Sequence, residues 1–152
     1  MRDSFGGKRP MVDSFADQLA STVAMARSPL CIGIDPHASL LADWNLPDSA
    51  LGARDFGLRV VEAASSRVGV VKIQVAFYER HGAAGYSALE EVLAAAGAAA
   101  LLTIADVKRG DIGTSVDAYG EAWLSLGSSR QRDAMVRSNC LRSSPTAPGS
   151  TR

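Results

Sequence analysis

The chain has 152 residues, of which 47% are hydrophobic and 21% are charged, and its formal net charge is zero. No apolar run reaches the roughly 20 residues that span a bilayer, and the N-terminus lacks the apolar core of a secretory signal, so we expect a cytoplasmic protein. The body of the chain has neither a basic face nor a recognisable reading helix, and the arginine-rich C-terminal tail is weak evidence by itself, so we expect no nucleic-acid partner.

Helical and strand patterns alternate along most of the chain. The predicted elements are helix 13–27 with Asp13 as its cap, strand 30–36, helix 48–66, strand 68–74, helix 86–96, strand 98–107 and helix 112–123. Asp35, Lys72 and Asp106 stand near the ends of the three strands and recur at intervals of 37 and 34 residues. Regular βα units of this length predict a parallel sheet with right-handed crossovers.

The sheet could belong to an open doubly wound fold or to a (β/α)₈ barrel. Charged residues at the carboxyl ends of three successive strands favour the barrel, since that end carries the active site of such folds. The segment after the first strand, beginning Gly33-Ile34-Asp35, does not supply the glycine fingerprint expected of an open nucleotide-binding sheet. We therefore predict the α/β class and a barrel of this kind.

The pattern changes after Gly127, where a fourth strand should follow. Residues 127–152 contain six serines and five arginines, and no further strand is predicted there. A complete barrel takes roughly 250 residues. We expect residues 1–126 to form the N-terminal part of a truncated barrel with about three βα units, and residues 127–152 to be a tail that is disordered or translated out of frame.

Charged side chains gather at the end of the third strand. Asp106, Lys108 and Asp111 stand at offsets 0, 2 and 5, and side chains two apart on a strand point to one side. Lys72 on the neighbouring strand can approach the same space. Strand-end ion pairs and a helix cap are the simpler interpretation, but burying several charges is costly unless function requires it. A lysine between carboxylates is suited to deliver a proton as a general acid.

Three segments together resemble orotidine 5'-phosphate decarboxylase, in the branch found in many actinobacteria. They are Leu30-Cys31-Ile32-Gly33-Ile34-Asp35-Pro36, Val71-Lys72-Ile73-Gln74-Val75-Ala76-Phe77-Tyr78-Glu79 and Ala105-Asp106-Val107-Lys108-Arg109-Gly110-Asp111-Ile112-Gly113. The resemblance covers about residues 28–125. It implies a lyase that needs no cofactor and no metal, and that converts orotidine 5'-phosphate to uridine 5'-phosphate in pyrimidine synthesis.

The resemblance also implies roles for the lysines and for Asp106. Lys108 would protonate C6 of the pyrimidine as CO2 leaves, and Asp106 would lie beside the departing carboxylate. Two unit charges about 4 Å apart at an effective dielectric near 20 interact by roughly 4 kcal/mol, so this repulsion would help without supplying the whole barrier. Lys72 would orient Asp106 and the ribose.

The remaining implied site residues bind substrate or join subunits. Asp35 would bind ribose hydroxyls, and Ser115 stands where the family usually has threonine. Asp111, with Ile112, would enter the site of the neighbouring subunit, so a homodimer is expected.

The family holds the substrate phosphate through loops after its last strands, and those contacts match no residue here. We therefore expect this chain alone to be inactive. Two alternatives stay open. One is a related sugar-phosphate decarboxylase or pentose-phosphate epimerase, and the other is a non-catalytic fragment that associates with a partner subunit.

Overall fold

The computed structural model describes residues 14–109, 113–124 and 134–137. Along them run α1 (Phe15–Ala26), β1 (Cys31–Ile34), α2 (Ala38–Asp43), α3 (Ala50–Ala64), β2 (Val70–Gln74), α4 (Ala76–Glu79), α5 (Gly82–Ala98), β3 (Leu102–Asp106), α6 (Thr114–Leu124) and β4 (Ala134–Arg137). The strands form one parallel sheet in the order β1-β2-β3-β4.

The two faces of the sheet differ in burial. Val71, Ile73 and Ala105 point into the apolar core and are fully buried, and helices α3 and α5 pack against each other on the core side. Lys72 and Gln74 alternate with them along β2 and are only partly buried. Because side chains two apart share a face, Lys72 and Gln74 of β2 and Asp106 of β3 lie together on the face away from the core.

Several predicted element boundaries are wrong. The cap of α1 is Ser14 rather than Asp13: Ser14 Oγ accepts from the backbone N–H of Asp17 at 3.2 Å, and the Asp17 carboxylate accepts from the Ser14 N–H in return. This reciprocal pair is a capping box. Helix α5 begins at Gly82, four residues before the predicted start at Tyr86, and β3 begins at Leu102 rather than at 98. The short helices α2 and α4 were not predicted.

The structure also places a strand in the segment where no strand was predicted. Residues Ala134–Arg137 form β4, which pairs in parallel with β3 and sets Arg137 opposite Asp106 in the register. Four residues are close to the lower limit of strand length, and this segment has a flanking arginine and aspartate, which explains why its pattern gave no signal. The expectation that 127–152 is a disordered or out-of-frame tail stays a prediction.

Tyr78 of α4 is fully buried in the core beside α3. Its hydroxyl donates a hydrogen bond to the Ala53 carbonyl at 3.3 Å, and a methyl group at Gly57 would come within 2.6 Å of that hydroxyl. Burial raises the pKa of Tyr78 well above its ordinary value, and the negative charge of Asp35 adds to the shift. The folded protein therefore holds this proton more tightly than the unfolded chain does.

A pH dependence of stability follows from the raised pKa of Tyr78. Its contribution to stability is complete below the unfolded pKa of about 10 and is lost as pH rises above it, because only the unfolded chain then ionises. We expect the urea midpoint to fall more steeply between about pH 9 and about pH 11 in the original protein than in the Tyr78→Phe variant. Tyr119→Phe, at an exposed position, should keep the original slope. Equal slopes for all three proteins would contradict this account.

Candidate active site

Asp106, the last residue of β3, lies at the centre of a charged cluster. Lys108 donates a hydrogen bond to Asp106 Oδ2, and Lys72 Nζ lies 3.8 Å from the same oxygen. The Asp106 side chain is 20% exposed, against 40% for Lys72 and 56% for Lys108. One carboxylate thus serves two ammonium groups at the carboxyl end of the sheet.

Gln74 is a fourth member of this cluster, and the sequence interpretation missed it. Its Oε1 accepts a hydrogen bond from Lys108 Nζ at 3.2 Å. Gln74 lies opposite Asp106 in the register of β2 and β3 and on the same face as Lys72. The spacing of two from Lys72 is the signal that could have found it.

Lys108 itself has an unusual backbone conformation. Its φ is 47°, in the left-handed region that residues other than glycine rarely adopt. Such conformations cost free energy and persist where the surroundings hold them, which happens often at functional sites. In this structure the conformation accompanies the contact of Lys108 Nζ with both Asp106 and Gln74.

Asp35 follows β1 at the same end of the sheet but joins no ion pair of the cluster in the described part of the chain. Its carboxylate lies over Gly33, where a methyl group would come within 2.6 Å of Asp35 Oδ2. A side chain at position 33 would therefore have to displace the Asp35 carboxylate. Gly33 lies opposite Lys72 in the register of β1 and β2. Asp35 and Lys72 therefore border the same face of the sheet.

Of the other predicted site residues in the described part of the chain, Ser115 is not brought into the cluster. Ser115 is exposed in the first turn of α6, and no hydrogen bond between described residues joins it to Asp106. Asp111 and Ile112 lie outside the described residues, so their predicted roles stay predictions.

Arg109, directly after Lys108, joins several elements and was also missed. Its guanidinium donates to the Val107 carbonyl at 3.0 Å and pairs with Glu79 of α4. Tyr86 of α5 donates to the same Glu79 carboxylate at 2.8 Å. Partial burial raises the pKa of Tyr86, the bond to Glu79 adds to the rise, and Arg109 opposes it.

The described residues lack two further kinds of feature. They contain no group of three or more histidine, cysteine, aspartate or glutamate side chains arranged to hold a metal ion. None of their helices is long and apolar enough to cross a membrane. The expected cytoplasmic location stays a prediction.

The sequence matches a family model described as "Orotidine 5'-phosphate decarboxylase / HUMPS family" over residues 28–130. A protein of Myxococcus xanthus named orotidine 5'-phosphate decarboxylase is 50% identical over 114 residues, which cover 75% of this chain and 40% of that protein. A protein of the same name from Nocardioides sp. is 48% identical over 127 residues, which cover 84% of this chain and 46% of that protein.

Solved structures resemble the fold as well. A crystal structure from Streptomyces avermitilis, assigned as an orotidine 5'-phosphate decarboxylase, has a TM-score of 0.76 and 44% identity, and the match covers 89% of this chain and 47% of that one. The structure of Leishmania donovani OMP decarboxylase has a TM-score of 0.63 and 31% sequence identity, and the match covers 82% of this chain and 44% of that one. These neighbours confirm the predicted partial barrel. The chain spans less than half the length of the curated relatives described above.

Proposed function

Because the chain belongs to the orotidine 5'-phosphate decarboxylase / HUMPS family, we propose that it supplies the charged half of a site that decarboxylates orotidine 5'-phosphate. The observation that supports this most strongly is the Lys108 ammonium bonded to Asp106 and Gln74, with Lys72 Nζ 3.8 Å from Asp106. This arrangement sets a proton donor beside a fixed negative charge. The names of relatives that are 48% and 50% identical favour this substrate over a sugar phosphate.

Lys108 is the proposed proton donor. As the bond between C6 and the carboxylate breaks, CO2 departs and the electron pair stays on C6. A proton from the Lys108 ammonium then forms the new C6–H bond, which gives uridine 5'-phosphate and a neutral amine that regains its proton from solvent. A positioned ammonium can both stabilise the developing negative charge and transfer the proton, without a cofactor.

Asp106 is proposed to act through its charge. Its carboxylate would face the substrate carboxylate, and their repulsion is relieved when that group leaves as CO2. The ammonium groups of Lys72 and Lys108 both pair with Oδ2 of Asp106, and these pairs would oppose a rotation of the carboxylate that relieved the repulsion before CO2 leaves. Asp35, at the same end of the sheet, is proposed to bind the ribose hydroxyls.

We propose a homodimer in which Asp111 and Ile112 of one subunit complete the site of the other. The resemblance of residues 105–113 to the family motif supports this. Ser115, exposed near the start of α6, is proposed to contribute its hydroxyl to substrate binding in such an assembly.

The proposed function requires phosphate contacts that match no residue of this chain. Remote phosphate contacts supply binding energy that is used at the reacting centre, so the chain alone should turn over poorly. The test is to mix it with the second half of the Nocardioides sp. relative and to follow the loss of orotidine 5'-phosphate absorbance. Turnover by the mixture and not by either half alone is expected. A folded mixture without turnover would contradict the proposal.

Replacing Asp106 by asparagine should reduce turnover in that mixture about 10²- to 10³-fold. The substitution keeps the size of the side chain and removes the charge, and a contact of about 4 Å between unit charges is worth roughly 4 kcal/mol at an effective dielectric of 20. The rate at saturating substrate is the quantity to measure. Glu62→Gln, which removes an exposed carboxylate on α3, is the matched control. Similar rates for both variants would rule out the role of Asp106.

A further inference from the structure

The strained backbone of Lys108 must be held by contacts other than its own ammonium. Lys108 Nζ contacts Asp106 and Gln74 from the end of a flexible four-carbon side chain. Contacts made at the end of so flexible a side chain constrain the backbone dihedral angles poorly. The φ of 47° is therefore maintained by neighbouring residues. Arg109, the next residue, has the contacts to do this.

Arg109 connects the segment after β3 to α4 and α6 directly and to α5 through Glu79. Its Nη1 donates to the Val107 carbonyl at 3.0 Å, while its Nη2 donates to Glu79 of α4. Glu79 is itself fixed by the Tyr86 hydroxyl of α5 at 2.8 Å. The guanidinium carbon also lies 5.8 Å from the ring centroid of Tyr119 in α6, within the range of a cation–π contact.

The arrangement uses the shape of arginine. One nitrogen binds a backbone oxygen immediately before Lys108, and another binds a carboxylate on a different element. A planar guanidinium can make both bonds at once, whereas the compact ammonium of a lysine is a point charge on a flexible stem. The Arg109 side chain is only 24% exposed, so the pair with Glu79 is partly shielded from water.

We infer that Arg109 is a positioning residue, which holds the backbone of Lys108 so that its ammonium stays between Asp106 and Gln74. The inference rests on the proposed function for the role of Lys108 as proton donor. The position of the ammonium, however, can be measured without any reaction.

The test uses the small number of lysines. The chain has only three, Lys8, Lys72 and Lys108, so lysine side-chain NMR signals of the full chain can be assigned with Lys8→Arg and Lys72→Arg variants. The readout is the nuclear Overhauser effect between the Lys108 side chain and the Gln74 amide. In Arg109→Gln this effect should be lost, and Glu79→Gln should weaken it. Arg59→Gln, at an exposed position of α3, should leave it unchanged.

Core methyl signals show whether each variant is folded. If Arg109→Gln loses these methyl signals, Arg109→Lys is tested in its place. The lysine keeps the positive charge but cannot make the bonds to Val107 and Glu79 together. An unchanged Lys108–Gln74 contact in the folded variant overturns the inference. So does a loss of the same size in Arg59→Gln.

Kinetics with the second half of a relative then separates the two proposals. Arg109→Gln should lower kcat at least tenfold with KM nearly constant, and Arg109→Lys should restore part of the rate. A lost contact with unchanged kcat overturns the positioning role. A third outcome is also informative: Arg109→Gln loses the Lys108–Gln74 contact, but the mixture made with the original chain is inactive. That outcome supports the positioning of Lys108 and contradicts the proposed function.

Discussion

Replacing Lys108 by alanine is expected to reduce decarboxylation of orotidine 5'-phosphate by about 10²- to 10⁴-fold, the range that a positioned general acid contributes. The chain would be assayed together with the second half of the Nocardioides sp. relative. The ammonium contacts both Asp106 and Gln74, and among the described residues Lys72 is the other lysine near that carboxylate. Lys72 Nζ lies 3.8 Å from Asp106 on the neighbouring strand, so we expect it to hold the carboxylate rather than to replace the proposed proton donor.

Two further variants sharpen this test. Lys108→Arg keeps the positive charge but holds its proton too tightly to donate it, so its rate should be close to that of the alanine variant. Arg59→Ala removes an exposed cation from α3 and should keep the full rate. A Lys108→Ala variant that keeps more than about a tenth of the rate would contradict the assignment, because a general acid contributes at least about 10²-fold.

Replacing Gly85 by alanine is expected to lower the free energy of unfolding by about 3 kcal/mol, the upper part of the range for overpacking. Gly85 lies in the first turns of α5, where the helix passes directly over the end of α4. A methyl group there would stand 1.8 Å from the Tyr78 carbonyl oxygen and 2.8 Å from its carbon. These are backbone atoms, so the clash can be relieved only if the two helices move apart and disturb the packing around Tyr78.

Gly120→Ala is the matched control for this prediction. Gly120 lies within α6, and a methyl group there would meet nothing within 4 Å. Alanine is the better helix former, so that variant should be more stable by about 0.5–1 kcal/mol. Urea unfolding followed by circular dichroism measures both variants. Equal stability of the two would show that α4 and α5 do not approach as closely as described.

The sequence predicted the charged end of the sheet because the relevant signals are local. Asp106 and Lys108 are two residues apart and Lys72 lies on the preceding strand, so nearness along the chain and the order of the strands indicated the cluster. The strand period does not explain the position of Lys108, because β3 ends at Asp106 and Lys108 lies beyond it with a φ of 47°. The parallel sheet followed from the same alternation of apolar runs and helical segments. Those inferences need no knowledge of distant contacts.

The contacts that the sequence did not reveal depend on tertiary packing. Gly82 and Gly85 disfavour a helix by propensity, so the start of α5 was placed too late, although the close approach to Tyr78 requires glycine at position 85. Arg109 and Glu79 are 30 residues apart, and nothing in their local patterns indicates that they pair. Pairs between residues so far apart in the sequence can be identified only from the tertiary packing of the helices.

Release of labelled CO2 from carboxyl-labelled orotidine 5'-phosphate tests the central claim most directly. The chain and the second half of the Nocardioides sp. relative would be mixed in equal amounts, with either the original chain or its Lys108→Ala variant. The account predicts catalytic release by the mixture with the original chain and almost none by the mixture with the variant. Equal release by both mixtures, or none by a folded mixture containing the original chain, would contradict it.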